Sequence, residues 1–146
     1  MYSVANKVGR LIEMAIAAPV TIDEASRAFI EARACVSAVT ARGERAIIVA
    51  DLHDADVFAP DVADKFTLLM RAQNPYMDRS ATLVSEGATS GLQFLRMIRE
   101  AGNPARRVFK RRYELEVWLA EVLSPAEREH LHLFLDERGV YRARQG

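Results

Sequence analysis

The feature that most constrains this chain is the run Ala46-Ile47-Ile48-Val49-Ala50. It stops at Asp51, and a helical pattern resumes after Ala59-Pro60-Asp61 and continues to Met70. A short, uninterrupted apolar run rich in β-branched residues has no polar face to offer water, so it reads as a strand covered on both sides. Pro60 suits a first helical position, where its missing amide hydrogen has no helical partner to lose. Strand and helix together specify a βα unit. In open α/β sheets, ligands and partners gather at the carboxyl ends of the strands. The linker Asp51-Leu52-His53-Asp54-Ala55-Asp56-Val57-Phe58 is therefore the first place to look for function.

The flanking segments extend this unit. Tyr2, Val4 and Val8, then Ile12, Met14 and Ile16, fall at even positions around Gly9-Arg10, which predicts a strand pair or one long bent strand. Thr21 and Glu24 can exchange hydrogen bonds with each other's amides as a capping box, starting a helix that buries Ala25, Phe29, Ala32, Val36 and Val39 and ends at Gly43. The Pro60 helix turns Val62, Phe66, Leu69 and Met70 inward, has Asp61 and Asp64 at its positive end, and closes at Asn74-Pro75. Ser80 to Ser85 reads as a strand, and a helix from Thr89 or Ser90 carries the stripe Phe94, Leu95 and Ile98 before Gly102-Asn103-Pro104. Arg107-Val108-Phe109 offers a last short strand. The final third is helical, with Leu115, Trp118, Leu119 and Val122 on one face; Ser124-Pro125-Ala126-Glu127 then starts a helix docked by Leu131, Phe134 and Leu135. Gly139 ends that helix, and Tyr141 to Gly146 reads as a flexible tail. The expected fold is one α/β domain over residues 1–146, a mixed sheet of about four to five strands with helices packed on it.

Composition sets outer bounds. At 146 residues and 50% hydrophobic, the chain can bury a core of its own. Twenty Lys and Arg balance twenty Asp and Glu, so no overall field draws it to nucleic acid or an anionic membrane. Apolar runs fall short of a membrane span, and the single Cys35 suits a reducing compartment, so a cytoplasmic location without membrane insertion is expected. Cys35 lies beside the apolar stripe of its helix, where packing is its role.

Several motifs invite chemistry. Asp51, His53, Asp54 and Asp56 offer oxygen and imidazole ligands, but a calcium loop wants Gly at its sixth position and Glu at its twelfth, where Asp56 and Val62 stand. No metal or cofactor is expected, and a small metal-dependent enzyme using His53 is the least favoured reading. Gly87-Ala88-Thr89-Ser90-Gly91 lacks the Lys of a phosphate loop, and Thr89 stands where a nucleophile elbow would place Ser. Neither pattern supplies a catalytic residue. The strongest charge cluster is Arg106, Arg107, Lys110, Arg111 and Arg112, an anion or acidic-partner patch that strand alternation would divide between faces. His130 and His132, two apart on a helix, do not face one another. Trp118, at helical spacing, reads as core.

The segment Val49-Ala50-Asp51-Leu52, followed after a gap by Ala59-Pro60-Asp61-Val62 and an apolar helix, resembles the signature of STAS domains, the anti-anti-sigma factor family. The order of elements is similar too, and the architecture is shared with SEC14-like lipid-binding domains. In that family a strand ending in Asp-Leu leads to Asp-Ser-Ser-Gly at a helix start, where a partner-switch kinase phosphorylates Ser. Here Ala59, Pro60 and Asp61 occupy those places, so Asp61 is a fixed negative charge where the resemblance would put a switchable hydroxyl.

The resemblance thus implies a non-enzymatic bacterial regulatory module that docks another protein, with a homodimer compatible. Asp51, His53, Asp54, Asp56 and Asp61 would form the docking surface, with Glu86 and Thr89 as its rim. The alternative it suggests is a carrier or sensor of a small amphipathic or lipid-like ligand held between helix and sheet.

Overall fold

The computed structural model describes residues 1–86 and 89–140. Strand β1 (Tyr2–Val8) turns at Gly9 into β2 (Leu11–Ile16), so the expected strand pair is present. Then follow α1 (Ile22–Ala41), β3 (Ala46–Leu52), α2 (Pro60–Gln73) with a 3-10 turn at Asn74–Tyr76, β4 (Met77–Val84), α3 (Thr89–Ala101), β5 (Arg106–Phe109), α4 (Arg112–Ala120) and α5 (Pro125–Glu137). The five strands lie in the order β1-β2-β3-β4-β5, antiparallel between β1 and β2 and parallel thereafter.

That order decides the layers. Each crossover after β2 moves one strand in the same direction, and right-handed crossovers taken in one direction lay their helices on one face. Accordingly α1, α2 and α3 cover one face, over Ile12, Met14, Ile16, Ile48, Ala50 and Leu52. The chain then turns α4 and α5 onto the other face, over Leu11, Ala15, Ile47, Val49, Ala81 and Leu83. All seven residues of β3 are buried, as a strand covered on both sides requires. Leu115, Leu119, Leu131 and Leu135 seal the second face, and burial of each stabilises the fold by about 1.5–3 kcal/mol.

Both capping boxes form, at Thr21 with Glu24 and at Ser124 with Glu127. Glu127 also accepts from the Arg10 amide at 2.6 Å, fastening the β1–β2 turn to the start of α5. Burial opposes its charge, yet the amide hydrogen bonds from Ser124 and Arg10 hold its carboxyl below the ordinary value. Gly9, at φ +49°, sits directly against that carboxylate, so a side chain there meets both backbone strain and an anchored neighbour.

Three details depart from the sequence reading. In α3 the inward residues are Gly91, Met97 and Ala101 with Phe94 and Ile98 partly covered, whereas Leu95 is exposed. Gly91 packs closely on Val84, where an added Cβ would lie 3.3 Å away, and the inner line runs on through Phe94, Ile98 and Ala101, which leaves Leu95 at its outer margin. In α1 Ala28 is buried and Phe29 only partly so. Trp118 is half-buried rather than core: it packs on Phe109, with ring centroids 5.6 Å apart, and the guanidinium groups of Arg79 and Arg107 lie 4.8 and 4.9 Å from its ring centroid. The tail expected at 141–146 lies outside the described residues.

Candidate functional site

The linker after β3 opens at the carboxyl rim of the sheet, and its first side chain is not on the surface. Asp51 alternates with Ile47 and Val49, so it points to the α4–α5 face, and it is fully buried. Its Oδ2 accepts from Arg138 Nε at 2.9 Å, and its Oδ1 accepts from the His53 amide at 3.1 Å and lies 2.6 Å from His53 Nδ1. Arg138 caps the C-terminus of α5, so this pair ties the last helix to the exit of the central strand. Asp51 is thereby corrected from a partner contact to a brace, because a carboxylate with no exposed surface cannot meet a partner.

His53 has a carboxylate at each ring nitrogen, Asp51 at Nδ1 and Asp54 Oδ2 at 3.3 Å from Nε2. Its main-chain carbonyl accepts from the Ser85 hydroxyl, which joins the linker to the end of β4. With the ring held between two acids, His53 is poorly placed to activate a hydroxyl or thiol. Among the described residues no group of three His, Cys, Asp or Glu has metal-binding geometry.

Further along, the linker is held by α3. Gln93 accepts from the Phe58 amide and donates to the Phe58 carbonyl, both at 2.8 Å, as a strand neighbour would. Phe58 is buried against Phe66, while Val57 is 50% exposed and Leu92, beside Gln93, is 70% exposed. Asp54, Asp56, Asp61, Glu86 and Thr89 are all exposed. Asp61 also accepts from the Val62 amide at 2.9 Å, supplying the start of α2 with the acceptor that Ala59 lacks. Glu86 lies 4.0 Å from Arg111, an exposed pair joining the ends of β4 and β5. Gly87 and Ala88, the heart of the glycine-containing turn, lie outside the described residues.

The basic segment is not one patch. Arg107, Lys110 and Arg111 are exposed, but Arg106 and Arg112 are buried. On β5, alternation sends Arg106 beneath α2 and Arg107 across to Trp118. Arg112 opens α4 and points between α4 and α5, where it reaches Glu116 at 3.1 Å and Asp136 at 2.8 Å. A surface reading of Arg106 and Arg112 is therefore overturned: each has hydrogen-bond partners inside.

The sequence reading missed Arg138, Gln93 and Gln73. Arg138 had a faint signal in its position at a helix C-terminus, where a cation is favourable. Gln93 and Gln73 carry no local signal, since an isolated Gln in a helix gives no sign of what it will meet. No protein-family model, no characterised protein and no solved structure matches this chain.

Proposed function

We propose that the chain is a non-enzymatic, STAS-like regulatory module of a bacterial cytoplasm that docks another protein at the carboxyl rim of its sheet. The observation that carries this reading is the linker surface. Asp54, Asp56, Asp61 and Glu86 are exposed there together with Val57 and Leu92, while Gln93, Ser85 and Arg138 hold the backbone and base of the same linker in place. Acids around exposed apolar side chains on a fixed backbone suit a partner that brings basic residues and an apolar contact. The five-strand mixed sheet with its helices is compatible with the STAS-like architecture. His53, with a carboxylate at each ring nitrogen, favours contact over catalysis. A lipid-like cargo held between α2, α3 and the sheet is less well supported, because the space there measures about 40 Å³, room for a few water-sized groups rather than an acyl chain.

The test is charge reversal at Asp54 and Asp61, both exposed. The protein carrying Asp54→Lys and Asp61→Lys should keep its circular dichroism and melting temperature but no longer retain the partner that the unaltered chain retains from native cell extract. Equal retention by both proteins would move the docking surface elsewhere.

A further inference from the structure

Arg106 is a buried cation without a counter-charge. Its guanidinium donates from Nε to Asn74 Oδ1 at 2.8 Å, from Nη1 to Ser80 Oγ at 3.3 Å and from Nη2 to the Met70 carbonyl at 3.0 Å. All three acceptors are neutral. Among the described residues no carboxylate lies within ion-pair distance, and burial pulls its pKa down to about 10. Buried charges are ordinarily paired, because the lost hydration must be replaced. A guanidinium has five N–H groups, so this one has two beyond those already engaged.

The cavity beside it has the matching character. It lies between the sheet and helices α2 and α3, walled by apolar side chains such as Met14, Ile48, Phe66 and Phe94. Its polar lining is Arg106, Ser80, Thr82 and Gln73. Gln73 is 5% exposed, and its Nε2 is buried with no hydrogen-bond partner. An arginine with no carboxylate partner and a glutamine with an unused buried N–H donor thus line one largely apolar cavity. The donors call for an anionic acceptor, and the walls disfavour an ion that keeps its water.

We propose that this cavity binds a small organic carboxylate, its oxygens at Arg106 and Gln73 and its hydrocarbon part against the apolar walls. One water needs about 10–15 Å³ of such space, so the 40 Å³ present suits about three or four such groups, an acid of about two carbons. The unbranched Met14 and Met70 are the walls best able to yield to a longer one. This proposal does not rest on the docking surface, although Leu52 and Phe58 of the linker line the cavity, so occupancy should also register at the linker amides.

The test titrates the full chain, isotope-labelled for NMR, with acetate, propionate and butyrate, and in parallel with the alcohols of equal length and with chloride. The carboxylates should give saturable shifts at the Arg106 Nε–H and the Gln73 side-chain amide, with affinity at least about tenfold above the matched alcohols, the worth of a charge-assisted hydrogen bond. Gln73→Met, which removes the unpartnered donor together with its amide oxygen, should fold normally and weaken carboxylate binding about tenfold. It carries the test even if substitution of Arg106 prevents folding. Alcohols or chloride binding as tightly as carboxylates would overturn the proposal, and so would a Gln73→Met protein that binds like the unaltered chain. Signals that never move would assign the cavity to water alone and overturn it too.

Discussion

Arg106 and Arg112 come from one basic segment and are both buried, at 7% and 3% exposure, yet their surroundings are opposite in kind. Arg112 is neutralised. Its Nε reaches Glu116, its Nη1 reaches Asp136 and the Val140 carbonyl, and its Nη2 donates to the His132 carbonyl at 3.0 Å, so one side chain joins the start of α4 to the end of α5. Arg106 is solvated by neutral groups and borders a cavity. Burial alone therefore does not say what a charge is for. Where carboxylates answer it, the charge holds elements together; where only dipoles answer it, a positive field is left inside the protein, and a ligand can complete it.

Breaking the neutralised arginine should have the largest effect. Arg112→Met should lower unfolding stability by about 3 kcal/mol, because it removes the one guanidinium that Glu116, Asp136 and the carbonyls of His132 and Val140 share. Arg106→Met should cost less, about 1–2 kcal/mol: three hydrogen bonds disappear, but an unpaired buried charge disappears with them. Urea titration of both variants measures the difference. Equal losses would show that the contrast between paired and unpaired charge has no energetic content.

Neither arginine's fate was legible in the sequence, and the reason is the range of the interactions. Signals that act within one turn or one strand read well: the β-branched run of β3, Pro60 at the start of α2, and the two capping boxes all stand where the residues predict. The alternation expected to divide the basic segment does divide Arg106 from Arg107. What could not be read is which face is dry. Arg112 is buried because Asp136 approaches from another helix, and Asp51 is buried because Arg138 arrives from 87 positions away. Of the surface expected for docking, Asp54, Asp56, Asp61, Glu86 and Thr89 are exposed, since loop acids at a strand end need no distant partner.

A second unpaired charge separates the effect of pairing from that of the particular face. Glu13 lies on the α4–α5 side with Leu11 and Ala15, is 4% exposed, and has an Oε1 with no hydrogen-bond partner. Burial raises its carboxyl above the usual 4.5, against the pull of Lys7 and His130 and with Glu137 adding to it. Because the folded state holds this proton more tightly than the unfolded state, stability falls as pH rises from the ordinary carboxylate value through the raised one. Glu13→Gln should therefore stabilise the protein by about 1 kcal/mol near pH 7 and confer no advantage at roughly pH 4, where the native residue is already neutral. Thermal unfolding across that range measures it, and a benefit that grew toward acid pH would reverse the assignment.

The smallest effect on stability is the sharpest comparison with Arg112. Gln73 lines the Arg106 cavity with an unpartnered Nε2, so Gln73→Met removes a desolvated donor that makes no bond and keeps nearly the same volume. Stability should change by no more than about 0.5 kcal/mol, and in the stabilising direction if at all. The variant should differ from the unaltered chain only when a carboxylate is added. A ligand that binds only the folded state raises the melting temperature in step with its affinity, so propionate should raise that of the unaltered chain measurably more than that of Gln73→Met. If the substitution instead destabilises the ligand-free protein as strongly as Arg106→Met does, Gln73 is a structural member of the α2 packing, and the positive field in the cavity has no second group to hold an anion.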